Sequence, residues 1–179
     1  MNAFAQGLAT KGRRVVRFEF AYMAGRREGG SKKPPSRPPQ LLAEWQAVIE
    51  RLRRDDNGAG LVIGGKSMGG RMASLIADES GVAGLVCLGY PFHPPGRPER
   101  LRTEHLAGIR TPTLILQGER DPFGTRDDVA GYELSPAIRL HWIEDGDHSL
   151  TPRKRSGRDA ASAWAEAIEA IDLFLQEPT

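Results

Sequence analysis

The sequence carries a single cysteine, Cys87, among 179 residues. That excludes an intrachain disulfide. Its setting inside an apolar run, Val86-Cys87-Leu88, marks it as a small hydrophobe of the core. With four histidines and this one thiol, no zinc-ligand spacing can be assembled, and no metal or organic cofactor is expected. No apolar run approaches the roughly 20 residues of a spanning helix. The N-terminus lacks the basic, apolar and small-residue succession of a secretory leader. A cytoplasmic location without a membrane partner is the default expectation. The net charge is only +2, so no excess of one sign argues for nucleic acid as a partner. What is present, 39% hydrophobic and 27% charged residues, fits one globular domain over residues 1–179 with a core of its own.

Read in order, residues 2–10 are alanine-rich with Phe4 and Leu8 one turn apart, which predicts a short helix ending near Gly12. Residues 14–20, RVVRFEF, are β-branched and aromatic and predict a strand. Residues 21–39 are rich in Gly, Pro and basic side chains without periodicity, and predict a loop. Within it Arg26, Arg27, Lys32 and Lys33 form a solvated basic stretch, with attraction of an anionic substrate as the sharper reading. Leu41, Trp45, Val48 and Leu52 make the apolar stripe of an amphipathic helix over residues 40–54, which Asp55, Asp56, Asn57 and Gly58 bring to an end. Further strands are predicted at residues 61–64, 82–88 (VAGLVCL), 111–117 (TPTLILQ) and 138–143 (IRLHWI). Helices are predicted from about Gly70 to Gly81, near residues 104–109 and 126–132, and from a cap at Asp159 through Trp164, Ile168, Ile171 and Leu175. Alternating strands and helices give an α/β class with a mainly parallel sheet.

The stretch that carries chemistry is residues 61–74, LVIGGKSMGGRMAS. A strand running straight into a helix through Gly65-Lys66-Ser67-Met68-Gly69 would hold Ser67 in a strained turn with its hydroxyl exposed. Gly65 and Gly69 are expected there because side chains would collide across so tight a turn. A serine hydroxyl needs a base to take its proton, and the base needs an acid to hold its tautomer. Asp121, after the strand at 111–117, and His148, after the strand at 138–143, supply them in the order Ser, Asp, His. Asp145, Asp147 and Glu119 are reserve acids. The other histidines fit less well: His141 lies within a strand, His105 in a helix, and His93 precedes the acid. The Met68 backbone N–H is the expected oxyanion donor. Tyr90, Phe92 and His93, in the loop after a strand, either line a substrate pocket or pack against their prolines. Arg71 lies one turn into the following helix.

Together GKSMGG, LGYPFHPPG, TPTLILQGERDPFG and EDGDHSL resemble the α/β-hydrolase superfamily. More narrowly the chain is similar to dienelactone-hydrolase-like bacterial proteins. The segment LGYPFHPPGRPERLRTEHL resembles the branch related to subunit three of the nonspecific-lethal histone acetyltransferase complex. The resemblance covers almost the whole chain. It implies a three-layer α/β-hydrolase sandwich with Ser67, Asp121 and His148 as a triad. It implies no particular substrate, and the branch includes scaffold relatives. Such proteins usually carry a further strand and a His-Gly-rich loop before the first helix, supplying a second oxyanion N–H. Their absence here reads as N-terminal shortening, with Met1 expected to be an internal methionine of a longer natural product.

Three functions compete on these residues. The first is a serine hydrolase for a small ester or thioester, for which an acyltransferase would use the same groups. The second is a non-catalytic interaction module that keeps the fold. The third is anion or nucleotide binding, since residues 60–67, GLVIGGKS, formally match a phosphate-binding loop. In such a loop the strand precedes the first glycine, whereas here it lies between the glycines, which sets that reading last. A homodimer is unmotivated by anything in the sequence and stays open.

Overall fold

The structure is a computed structural model, and it describes residues 1–27, 34–55 and 60–177. Arg26, Arg27, Lys32 and Lys33, the basic side chains of the expected loop, lie outside the described residues or have undescribed side chains, as do residues 56–58.

In chain order the elements are α1 (Asn2–Thr10), α2 (Ala21–Arg27), α3 (Pro38–Asp55), β1 (Val62–Lys66), α4 (Met68–Ser74), α5 (Ala77–Ser80), β2 (Gly84–Leu88), β3 (Thr113–Gly118), α6 (Arg126–Val129), β4 (Ile138–Ile143) and α7 (Ala160–Phe174). Short 3-10 turns occupy Glu104–Ala107 and Lys154–Ser156. The four strands form one parallel sheet in the order β1-β2-β3-β4. All residues of β2 and β3 are buried, as expected for inner parallel strands covered on both faces.

Side-chain alternation along the inner strands divides the core in two. Leu85, Cys87 and Ile115 point into one layer with Leu41, Trp45 and Ile49 of α3 and Met72 and Ala73 of α4. Val86, Leu88, Leu114 and Leu116 point into the other, with Phe4 of α1 and Ala163, Ala167 and Ile171 of α7. Helices therefore cover both faces, giving a three-layer α/β sandwich. Helix α7 begins as predicted: Asp159 accepts from the Ser162 backbone N–H at 2.8 Å, the Ser162 hydroxyl faces back, and the two form a capping box.

Three local expectations are corrected. Residues 14–20 form no strand. Their aromatic rings are placed by packing instead: Phe18 stacks edge-on against Trp45 at 4.6 Å between centroids and Phe20 is buried. A strand needs a neighbour for its ladder, and among the described residues β1 pairs only with β2. Residues 21–27 are helical rather than loop, because Ala, Met and Arg are good helix formers. The Ala21 N–H at the start of this helix donates to Glu44 Oε2 at 2.8 Å. The helix after Ser67 is broken into α4 and α5 around Leu75 and Ile76, and ends at Gly81 in the left-handed region (φ 55°).

Candidate active site

The site lies beyond the carboxyl ends of the strands, where open α/β sheets gather ligands. Strand β1 ends at Lys66 and α4 begins at Met68, so Ser67 alone makes the turn. Its backbone sits at φ 52° and ψ −120°, a conformation non-glycine residues rarely adopt. The turn is locked on both sides: Ser67 N–H donates to Leu88 O at 2.9 Å, and Ser67 O accepts from Arg71 N–H at 3.0 Å.

The glycines are needed, with one shift from expectation. A Cβ on Gly65 would lie 2.8 Å from Gly69 C and Gly70 N. A Cβ on Gly69 would meet nothing within 4 Å. Gly70 is the crowded position, its Cβ falling 2.6 Å from Gly65 O and 3.2 Å from Cys87 Sγ. The second essential glycine is therefore one residue further on, where α4 lies flat on β1 and β2.

His148 bridges the two other residues. Its Nε2 is 2.9 Å from Ser67 Oγ and its Nδ1 is 2.8 Å from Asp121 Oδ2. Asp121 is fully buried. Its Oδ1 accepts from Phe123 N–H at 2.9 Å and its Oδ2 accepts from Gln117 Nε2 at 2.9 Å. With Asp121 an acceptor, Nδ1 carries the imidazole proton and Nε2 presents a lone pair to Ser67. Phe123 covers one face of the His148 ring, 4.3 Å between centroids.

The loop that carries His148 is shaped by the acids held in reserve. Asp145, at φ 51°, accepts from Arg153 Nε at 2.8 Å and pairs with Arg120 at 3.0 Å; the guanidiniums hold its carboxyl well below the usual carboxylate range. Asp147 Oδ1 accepts from the N–H groups of Ser149 and Thr151. Glu119 accepts from Asp145 N–H and pairs with Arg126. All three are spent on loop geometry and only Asp121 faces the histidine. Trp164 Nε1 donates to Ser149 O at 3.1 Å, tying the loop to α7. Lys66, the variable residue of the elbow, donates to Ser149 Oγ at 2.8 Å and so spans from β1 to the same loop.

Two residues essential to this geometry were not singled out from sequence. Gln117, fully buried at the end of β3, accepts from Tyr90 N–H at 2.7 Å and donates to Asp121, Tyr90 O and Gly124 O. A polar residue ending an otherwise apolar strand was the available signal. Gly89 (φ 62°) is the other: a Cβ there would lie 2.8 Å from His148 O and 3.2 Å from Nδ1. Its place directly after an apolar strand was the signal.

Tyr90, Phe92 and His93 do not form an open wall. Tyr90 and Phe92 have no exposure, and their rings pack 4.9 Å apart in the core. Apolar rings beside prolines find more contact below the loop than above it. His93 is also buried; Nδ1 donates to Pro94 O at 3.0 Å, and Nε2 lies 3.6 Å from Asp128. The Met68 side chain packs against the α3 layer, which leaves its backbone N–H as the group beside Ser67.

A second serine–histidine contact joins Ser74 Oγ and His105 Nε2 at 2.8 Å. Ser74 is buried inside α4 and donates to Arg71 O, and among the described residues no carboxylate pairs with His105. Burial and the Arg71 charge push the His105 pKa down to about 4, so it is no base for neutral-pH chemistry. Among the described residues no three His, Cys, Asp or Glu side chains converge as a metal site would require.

A parallel sheet covered on both faces, with a serine on a strained strand-to-helix turn, defines an α/β hydrolase. The chain belongs to the family described as "Alpha/beta hydrolase domain", whose profile matches residues 1–176. Solved structures share the architecture. A serine hydrolase without a lid from Xanthomonas campestris superposes with a TM-score of 0.71 at 20% identity, covering 99% of this chain and 74% of that one. An α/β serine hydrolase homologue from Coxiella burnetii gives 0.66 at 20% identity, covering 93% and 73%. The esterase domain of a Rhodothermus marinus protein gives 0.65 at 14% identity, covering 95% and 77%. At these identities the likeness is one of fold. No helix among the described residues is long and apolar enough to cross a membrane.

Proposed function

We propose that this chain is a serine hydrolase for small carboxylic esters or thioesters, working through Ser67, His148 and Asp121. The observation that carries the reading is the single imidazole held between the Ser67 hydroxyl at 2.9 Å and the Asp121 carboxylate at 2.8 Å. In this mechanism His148 Nε2 takes the Ser67 proton as Oγ attacks the carbonyl carbon. The resulting oxyanion is met by the Met68 N–H. His148 then protonates the leaving alcohol or thiol, and the acyl-enzyme forms. Water attacks the acyl carbonyl, again losing its proton to His148, and Ser67 is restored. Asp121 keeps the proton on Nδ1 and stabilises the imidazolium. With an alcohol or amine in place of water the same residues would transfer the acyl group. The quoted motifs favour the dienelactone-hydrolase-like branch.

The test is labelling by a neutral fluorophosphonate. The chain is expected to label, and Ser67→Ala to abolish labelling. Labelling that survives in Ser67→Ala overturns the assignment of the nucleophile. No labelling of the unaltered chain favours the interaction-module reading instead.

A further inference from the structure

The chain has six phenylalanines, and five of them pack into the two core layers: Phe18, Phe20 and Phe92 in one, Phe4 and Phe174 in the other. Phe123 belongs to neither layer and stays half-buried beside His148. A phenyl ring left partly in water forgoes some of the free energy that burial gives the other five, so the core does not account for its place. What its ring meets is the imidazole, at 4.3 Å between centroids and 32° between planes. The rings therefore lie face over face and not edge to face.

This placement is fixed at several points. Phe123 N–H donates to Asp121 Oδ1 at 2.9 Å, and Phe123 O accepts from His93 N–H at 3.1 Å. Gly124 follows at φ 151°, where a Cβ would fall 2.7 Å from Phe92 Cδ2, and its carbonyl accepts from Gln117 Nε2 at 3.2 Å. Asp121 thus holds the imidazole with one oxygen and the backbone of the covering residue with the other.

The face of a phenyl ring carries the negative part of its quadrupole and attracts a cation lying over it. A neutral imidazole gains little from that face, and an imidazolium gains much more. In the proposed reaction His148 is an imidazolium only while it holds a proton taken from Ser67 or from the attacking water. A contact that strengthens only as this charge forms lowers the barrier without tightening the ground state.

We propose that Phe123 is a positioning residue of the hydrolytic site, whose ring face steadies the His148 imidazolium as Ser67 gives up its proton. The proposal rests on Ser67, His148 and Asp121 acting as described above, and it adds no bond-making step to them.

The test varies the electrons of the ring and keeps its outline. Phe123 is replaced by mono-, di- and trifluorinated phenylalanine, which progressively drain the ring face, and kcat and KM are measured with p-nitrophenyl butyrate. We expect kcat to fall stepwise with each fluorine, by about tenfold over the series, with KM unmoved. Phe123→Leu, which keeps an apolar side chain and removes the face, should fall as far. A flat fluorine series overturns the proposal even where Phe123→Leu is slow, because the ring then serves by its bulk. A fall that enters through KM overturns it too, since the ring then acts on substrate binding. A second measurement needs no turnover: in Ser67→Ala protein the His148 ring-proton NMR signals, shielded by the overlying phenyl, should move downfield when Phe123→Leu is added. Signals that stay in place overturn the contact and the proposal with it. The two readings fail differently. A flat series in an active enzyme removes Phe123 and leaves Ser67 standing, whereas an inactive chain, or turnover that survives Ser67→Ala, removes both.

Discussion

At Ser67 the backbone occupies φ 52° and ψ −120°, a cost of the order of 1–3 kcal/mol that the flanking bonds to Leu88 and Arg71 sustain. The strain lifts the hydroxyl towards His148 instead of letting it fold back onto its own helix. The acid behind the histidine is equally determined by its surroundings. Asp121→Asn keeps the shape but offers an N–H where Nδ1–H must donate, which favours the wrong imidazole tautomer; the fluorophosphonate labelling rate should fall by about 10⁴-fold, by analogy with the same change in another serine hydrolase. Gln117→Leu has similar volume but leaves the Tyr90 N–H and Asp121 short of partners in a dry site. We expect a loss of about 2–3 kcal/mol in urea denaturation and slower labelling. His105 gives a pH signature. Its pKa is about 4 in the folded protein against an ordinary 6.5, so between those values the unfolded chain takes up a proton that the folded chain refuses. Stability from this group is full above pH 6.5 and is lost as pH falls towards 4, by about 2 kcal/mol once solvent screening of a part-exposed ring is allowed for. His105→Gln should flatten that part of the stability–pH curve relative to the unaltered chain.

Among elements, the elbow shows how motif and geometry differ. The G-x-S-x-G pattern points to Gly65 and Gly69, yet Gly69 has open space and Gly70 is pressed on Gly65 O. Gly70→Ala should therefore cost about 1–3 kcal/mol in thermal or urea unfolding, through overpacking against backbone. Gly69→Ala should be neutral or stabilising by up to about 1 kcal/mol, since alanine is the better helix former. The elements whose pattern is set by burial were legible: β2 and β3 as continuous apolar runs, α3 and α7 as amphipathic stripes, Asp159 as a cap. Residues 14–20 were not, because β-branched and aromatic composition reports a fit to a packed surface and not the presence of a pairing partner. The helix at Ala21–Arg27 was hidden by the Gly- and Pro-rich stretch that follows it.

For the molecule as a whole, the two core layers lie on opposite faces of the sheet, and α7 closes one of them against α1. Ala163 and Ala167 are without exposure, so the closeness of α7 depends on small side chains. Ala167→Leu should destabilise the protein by about 1–3 kcal/mol in chemical denaturation, whatever happens at the site. Of the site, Ser67, Asp121 and His148 could be proposed from order and loop position alone, since strand ends converge in this topology. Gln117 and Gly89 could not, because their roles depend on which groups face each other across loops distant in sequence. The buried thiol of Cys87 offers a last consequence. It is the chain's only thiol, its pKa is pushed up to about 12 by burial, and a Cβ on Gly70 would come within 3.2 Å of its sulfur. An alkylating reagent can reach it only when α4 lifts from β2. The rate of its modification is therefore a clock on the breathing of the layer that holds the nucleophile, and any small molecule that settles the elbow will slow that clock.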